Sequence, residues 1–172
     1  MKKILIFILI VTGISSCRLC TFTMQPGSPR TSYPKELQGN FLYIEKHNGI
    51  KDTTFFNITE TTLETNDPYL TKLCQLSDTT TLTHLGDYYF FNIRNVDSTN
   101  KYSWQVFPIK ATDDALYVFT LNITKHQKKL NKYLKLNGSS QSEFIMDFEP
   151  FKNYCEKKLR KRHAIKLKKQ LK

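Results

Sequence analysis

The sequence predicts a mainly β fold: an antiparallel meander forming a barrel or sandwich, with one or two C-terminal helices. Three observations carry this. From Gly39 onward the chain is a series of short aromatic and β-branched runs broken by turn residues. Several of these runs, such as Phe41-Leu42-Tyr43-Ile44 and Tyr88-Tyr89-Phe90-Phe91, are apolar at both alternating positions, so they need cover on both sides. After Asn122 the apolar period changes from two to that of a helix.

Taken in order, the first predicted strand is Phe41 to Lys46 and the second Thr53 to Thr59. They flank Asn48-Gly49, the dipeptide that best supports a tight hairpin turn because both positions tolerate positive φ. Further strands are expected at Thr61 to Thr65, Tyr69 to Leu76, Thr79 to Leu85, Tyr88 to Arg94, Tyr102 to Ile109 and Ala115 to Leu121. Gly86-Asp87 and Thr112-Asp113-Asp114 supply turns. Eight short strands at meander spacing fit a barrel or sandwich, with Ile93, Trp104, Val106, Leu116 and Val118 in its core.

A helix near 124–136 follows, with Thr124 and Gln127 spaced as a capping box and Asn137-Gly138 as its stop. Phe144 to Phe148 reads as a last short strand. Pro150 opens a basic helix over 151–172 in which Phe151, Cys155 and Leu159 share a face, and which is expected to fray into solvent beyond Leu159.

At the other end, Lys2 and Lys3 precede the apolar run Ile4 to Val11 and the small and polar residues that follow, the layout of a signal peptide over 1–16. A run of eight residues is far short of the about 20 needed to span a bilayer as a helix. Ile14-Ser15-Ser16-Cys17 then resembles the lipobox of bacterial lipoproteins. That resemblance implies cleavage before Cys17, a lipid on its thiol, and a protein anchored to a membrane of the cell envelope, the outer membrane in preference to the inner. The alternative is a soluble exported chain in which Cys17 is an ordinary thiol. Residues 17–35, with Pro26, Gly27, Ser28 and Pro29, read as a flexible tether, leaving one β-rich domain over 36–150.

Glu36-Leu37-Gln38-Gly39-Asn40-Phe41 resembles the start of the first strand of lipocalins, with Phe41 where that family carries Trp and Gly86-Asp87-Tyr88 in place of its Thr-Asp-Tyr. The stretch Asp87 to Phe119 resembles small uncharacterised lipoproteins of the Bacteroidota, a likeness that brings no activity with it. The lipocalin resemblance implies a β-barrel able to hold an apolar ligand.

Charge narrows the partners. The formal net charge is +11, yet residues 17–150 carry 14 basic and 14 acidic residues; the excess lies in 151–172, which has 10 basic residues and only Glu156. A basic body suited to nucleic acid is missing, so none is expected as partner. The cluster Lys157, Lys158, Arg160, Lys161 and Arg162 is a candidate contact for an anionic surface, or else simply a solvated face.

Export would permit a disulfide, and Cys74 with Cys155 is the candidate pair, the alternative being two small buried residues. His47, His84, His126 and His163 lack metal-ligand spacing, and in Cys17-Arg18-Leu19-Cys20 the lipobox claims the first thiol, so no metal or cofactor is expected. Asn57, Asn122 and Asn137 sit in glycosylation-like triplets that carry no weight in a bacterium. The expected function is a non-enzymatic binding or accessory module for an apolar ligand or an envelope protein. The competing reading, an envelope hydrolase, requires two or more of Asp113, Asp114, Asp147, Glu149 and His84 to converge in a cleft.

Overall fold

A computed structural model of the chain describes residues 19–47, 50–97, 99–138, 140 and 142–170. The segment read as a signal peptide, Cys17 and the expected Asn48-Gly49 turn lie outside the described residues.

The fold is mainly β, and it is built from two antiparallel meanders. The first comprises β2 (Gly39–His47), β3 (Ile50–Ile58) and β4 (Leu63–Thr65). The second comprises β5 (Thr80–Leu85), β6 (Tyr88–Val96), β7 (Tyr102–Ala111) and β8 (Ala115–Val118). The β2–β3 register pairs His47 with Ile50, as a two-residue connection demands. Gly86 adopts φ 59° in the β5–β6 turn, a conformation that favours glycine.

The two meanders are joined by the end of the chain, which overturns the expected basic helix over 151–172. Ile165–Lys169 forms a strand, β10, paired antiparallel to β8 through Ile165 to Lys168 and to β2 through Lys168 and Lys169. Leu167 is buried while Lys168 is exposed. Ile165-Lys166-Leu167-Lys168 is therefore a period-two pattern at the sheet's centre, and its lysines mask its strand character. The helical part of this segment stops at Lys158.

The segment 19–35 is not a flexible tether either. Thr21–Phe22 forms β1, antiparallel to β7 and parallel to β9 (Glu143–Phe144). Phe22 is fully buried, and Arg30 pairs with Leu82 of β5. Gly27 holds φ 77°, and a Cβ there would come within 2.7 Å of the His84 carbonyl oxygen. Its glycine thus permits a close approach, where the sequence suggested flexibility.

Three helices complete the described residues. In α1 (Pro68–Leu73), which replaces the strand expected at Tyr69 to Leu76, the Asp67 carboxylate caps the Tyr69 and Leu70 N–H groups, and Pro68 takes the first turn. In α2 (Ile123–Leu130) the capping side chain is Asn122, accepting from the Lys125 N–H at 2.9 Å, in place of the expected Thr124. α3 (Phe148–Lys158) buries Phe151, Tyr154 and Cys155.

The alternation of β6 shows how the layers are arranged. Tyr88, Phe90 and Asn92 are buried on one face, and Phe90 meets Phe151 of α3 with ring centroids 5.6 Å apart. This core also holds Phe22, Phe144, Leu130 and Val106, with Trp104 packed at its margin. Tyr89 and Phe91 point the other way, into a second core with Leu82, Leu116, Leu167, Phe41 and Phe56. Leu63 of β4 and Leu82 of β5, the end strands of the paired run β4-β3-β2-β10-β8-β7-β6-β5, share this second core. The sheet therefore curls around it without β4 pairing to β5. Arg30, which pairs with Leu82, and Tyr33, whose N–H donates to the Glu60 carbonyl at 2.7 Å, lie across the gap. β6 thus has the double cover that its composition requires, whereas β2 is covered on one face only and leaves Ile44 exposed on the other.

Candidate functional site

The core inside the curled sheet is incompletely filled. A cavity of about 110 Å³ lies among side chains of β3, β5, β7, β8 and β10, including Ile58, Leu82, Ile109, Leu116, Val118 and Leu167, and its wall is apolar throughout. These residues alternate with outward neighbours along each strand, so the meander pattern itself aims them inward. Tyr33 reaches the same wall from the N-terminal crossing segment, its hydroxyl donating to the Cys74 carbonyl at 2.6 Å. That bond satisfies the only strong polar group of the Tyr33 side chain and leaves its ring to the cavity. Burial raises the Tyr33 hydroxyl well above its ordinary range and pushes the Cys74 thiol up to about 12, so both are neutral at physiological pH.

A second opening adjoins this interior. β10 pairs with β8 over Ile165 to Lys168 but meets β2 only from Lys168 onward, so the two strands splay apart beyond Leu42. The resulting groove, about 520 Å³, is lined by Leu42, Tyr43, Ile44, Ile165 and the stems of Lys166 and Lys168. Ile165 belongs to the wall of both the groove and the inner cavity. Ile44 and Phe55 are 47% and 55% exposed on the same outer face, which gives the groove an apolar rim. Lys166 is held by Asp114 at 3.2 Å and lies over the Tyr117 ring.

The other candidate residues are dispersed. Cys74 lies in the cavity core and Cys155 in the helix-covered core on the other face of the sheet; both are free and buried, which corrects the expected disulfide. Cys20, placed in the tether by sequence, is the third buried thiol. Asp113 and Asp114 occupy the β7–β8 turn, Asp147 precedes α3, Glu149 sits in its first turn, and the His84 ring lies tilted against Tyr89 with centroids 4.6 Å apart. No hydrogen bond or ion pair joins any two of these five among the described residues. Lys157, Lys158, Arg160, Lys161 and Arg162 are all exposed, and Lys161 lies 4.7 Å over the Tyr117 ring.

Sequence reasoning missed two polar arrangements. Asn92 is completely buried on the helix-facing side of β6; its amide donates to Thr83 Oγ1 at 3.1 Å and to the Phe90 carbonyl at 3.0 Å, while Oδ1 has no partner. Thr81, its cross-strand partner, in turn donates to Gln25. His126 Nδ1 lies 2.5 Å from the hydroxyl of fully buried Tyr154. Desolvation, with Lys129, Lys125 and His163 nearby, lowers His126 to about 4, so the ring is neutral and its Nδ1 can accept a hydrogen bond from the Tyr154 hydroxyl. A polar residue amid an aromatic strand was the available signal for Asn92; nothing in the sequence pairs His126 with Tyr154.

No protein-family model, curated protein or solved structure matches this chain.

Proposed function

We propose that this protein is an exported, lipid-anchored binding module that holds the apolar part of a small ligand inside its curled sheet. The observation that carries the reading is the cavity: a space of about 110 Å³ with a wholly apolar wall. A dry apolar cavity is costly to maintain, about 24 cal/mol per Å³, and cavities of this order accept small apolar guests rather than water. Ligand pockets run to roughly 300–1,000 Å³, so the cavity receives the end of an alkyl chain or a single ring, with the rest of the ligand in the adjoining groove. The lysine stems and Tyr43 along that groove are suited to a polar or anionic end.

The anchor is proposed on the Ile14-Ser15-Ser16-Cys17 pattern after an apolar leader, and it puts the module in the cell envelope. Two experiments test the reading. Methyl NMR spectra recorded with dissolved benzene should move resonances of Leu82, Leu116, Val118 and Ile165 and leave distant methyls unmoved; shifts absent from these four would remove the ligand site. Cys17→Ala should abolish palmitate labelling and membrane retention, and persistence of either rejects the anchor.

A further inference from the structure

We infer that α2 and the adjoining basic turn form a membrane-seating face that rests on an anionic phospholipid surface, holding the β body directly against the bilayer. The inference rests on the proposed lipidation of Cys17 for its geometry, and on an independent charge distribution for its chemistry.

The charge distribution comes first. Residues 36–114 contain eleven acidic and six basic residues, whereas 115–142 contain five lysines and no acid at all. Those five, Lys125, Lys128, Lys129, Lys132 and Lys135, are all exposed. None of them takes part in the ion pairs among the described residues, where Arg94, Lys101, Lys110 and Lys166 hold Asp78, Glu143, Asp87 and Asp114. The basic turn Lys161–His163 follows α3, whose Tyr154 hydroxyl meets His126 of α2. Lys157, Lys158 and Arg160, all exposed, precede it.

The attachment point comes second. Leu19 pairs with Asn122, the residue that caps α2, and the Cys20 N–H donates to the Leu121 carbonyl at 2.7 Å. Cys17 is two residues before Leu19, so covalent geometry limits the lipid-bearing residue to about 7 Å from Leu19, the residue bridged to the α2 cap. A lipid held there brings the α2 lysines, not the acidic meander, to the headgroups. Because Leu130 turns into the core, the helix lies on the surface by charge and does not insert an apolar face.

The full chain, reconstituted on vesicles of phosphatidylcholine alone or of equal phosphatidylcholine and phosphatidylglycerol, is footprinted with an amine-reactive reagent. On the anionic vesicles, labelling of Lys125, Lys128, Lys129 and Lys132 should slow about fivefold, while Lys51 and Lys72 label at their solution rate; high salt should abolish the difference. Equal slowing of all lysines, or none at α2, overturns the inference. So does equal protection of α2 by duplex DNA or polyglutamate, which would make the face a general polyanion site. Flotation with pure phosphatidylcholine reports the anchor separately: a chain that fails to float there but shows the α2 footprint on anionic vesicles retains the charged face and loses the Cys17 lipid. The triple variant Lys125→Gln, Lys128→Gln, Lys129→Gln, altering only exposed side chains, should lose protection at Lys132; retained protection argues against the face.

Discussion

Filling the inner cavity offers a test in which the sign of the result matters. Val118 lies in β8 opposite Ile109 on one side and Ile165 on the other, and all three line the cavity. At about 24 cal/mol per Å³, a void of 110 Å³ represents about 2.6 kcal/mol of forgone packing. The Val118→Phe substitution places a ring in that space and should recover part of it, about 1 kcal/mol. For a chain of this size that corresponds to a Tm increase of about 2–4 °C, read by calorimetry or thermal circular dichroism. The same variant should lose the benzene-induced shifts at Leu82 and Leu116. If the interior is already filled, the added ring overpacks it and stability falls by about 1–3 kcal/mol. A lowered Tm would therefore refute the cavity and the ligand reading built on it.

Four further outcomes are expected. Truncation after Leu159 removes β10, which bonds to β8 and β2 at once; the near-ultraviolet circular dichroism of the fold should be lost, whereas a dispensable solvated tail would leave it unchanged. Asn92→Ala strips partners from Thr83 and the Phe90 carbonyl in a fully buried site, and chemical denaturation should show a loss of about 2 kcal/mol; a change within experimental error would mean that water already serves that site. His126 is lowered from 6.5 to about 4 in the folded chain, so the unfolded chain takes up the proton first. Its contribution is intact above pH 6.5 and is lost as pH falls toward 4, by about 1.5 kcal/mol once solvent screening of the half-exposed ring is allowed for; His126→Gln should flatten that part of the pH–stability curve. Cys20 and Cys74 are pushed up to about 12 by burial, so alkylation at neutral pH should wait on unfolding, and rapid labelling of the native chain would contradict their placement.

What could be read from the sequence was what local chemistry determines. The β2–β3 hairpin and the run from β5 to β8 fall where aromatic runs and turn dipeptides place them, because period-two alternation and positive-φ positions are properties of neighbouring residues. α1 was missed although its signals were present: Asp67 and Pro68 are start signals, outweighed in the reading by Tyr69 and Thr71 as strand formers. β10 was hidden by its composition, since a lysine-rich end looks solvated unless its two central contacts are known. β1 was beyond reach altogether, because a two-residue strand exists only through partners about 80 and 120 residues away. The cavity had only an indirect signal, two-sided apolar strands, and its location depends on the curl of the whole sheet.

The most direct measurement of the central claim is a crystal of the protein pressurised with xenon. The binding reading predicts a xenon atom in the inner cavity, in contact with Leu82, Leu116, Val118 and Ile165, at partial pressures that leave the rest of the core unoccupied. A cavity closed by those side chains, or occupied by ordered water, would contradict it.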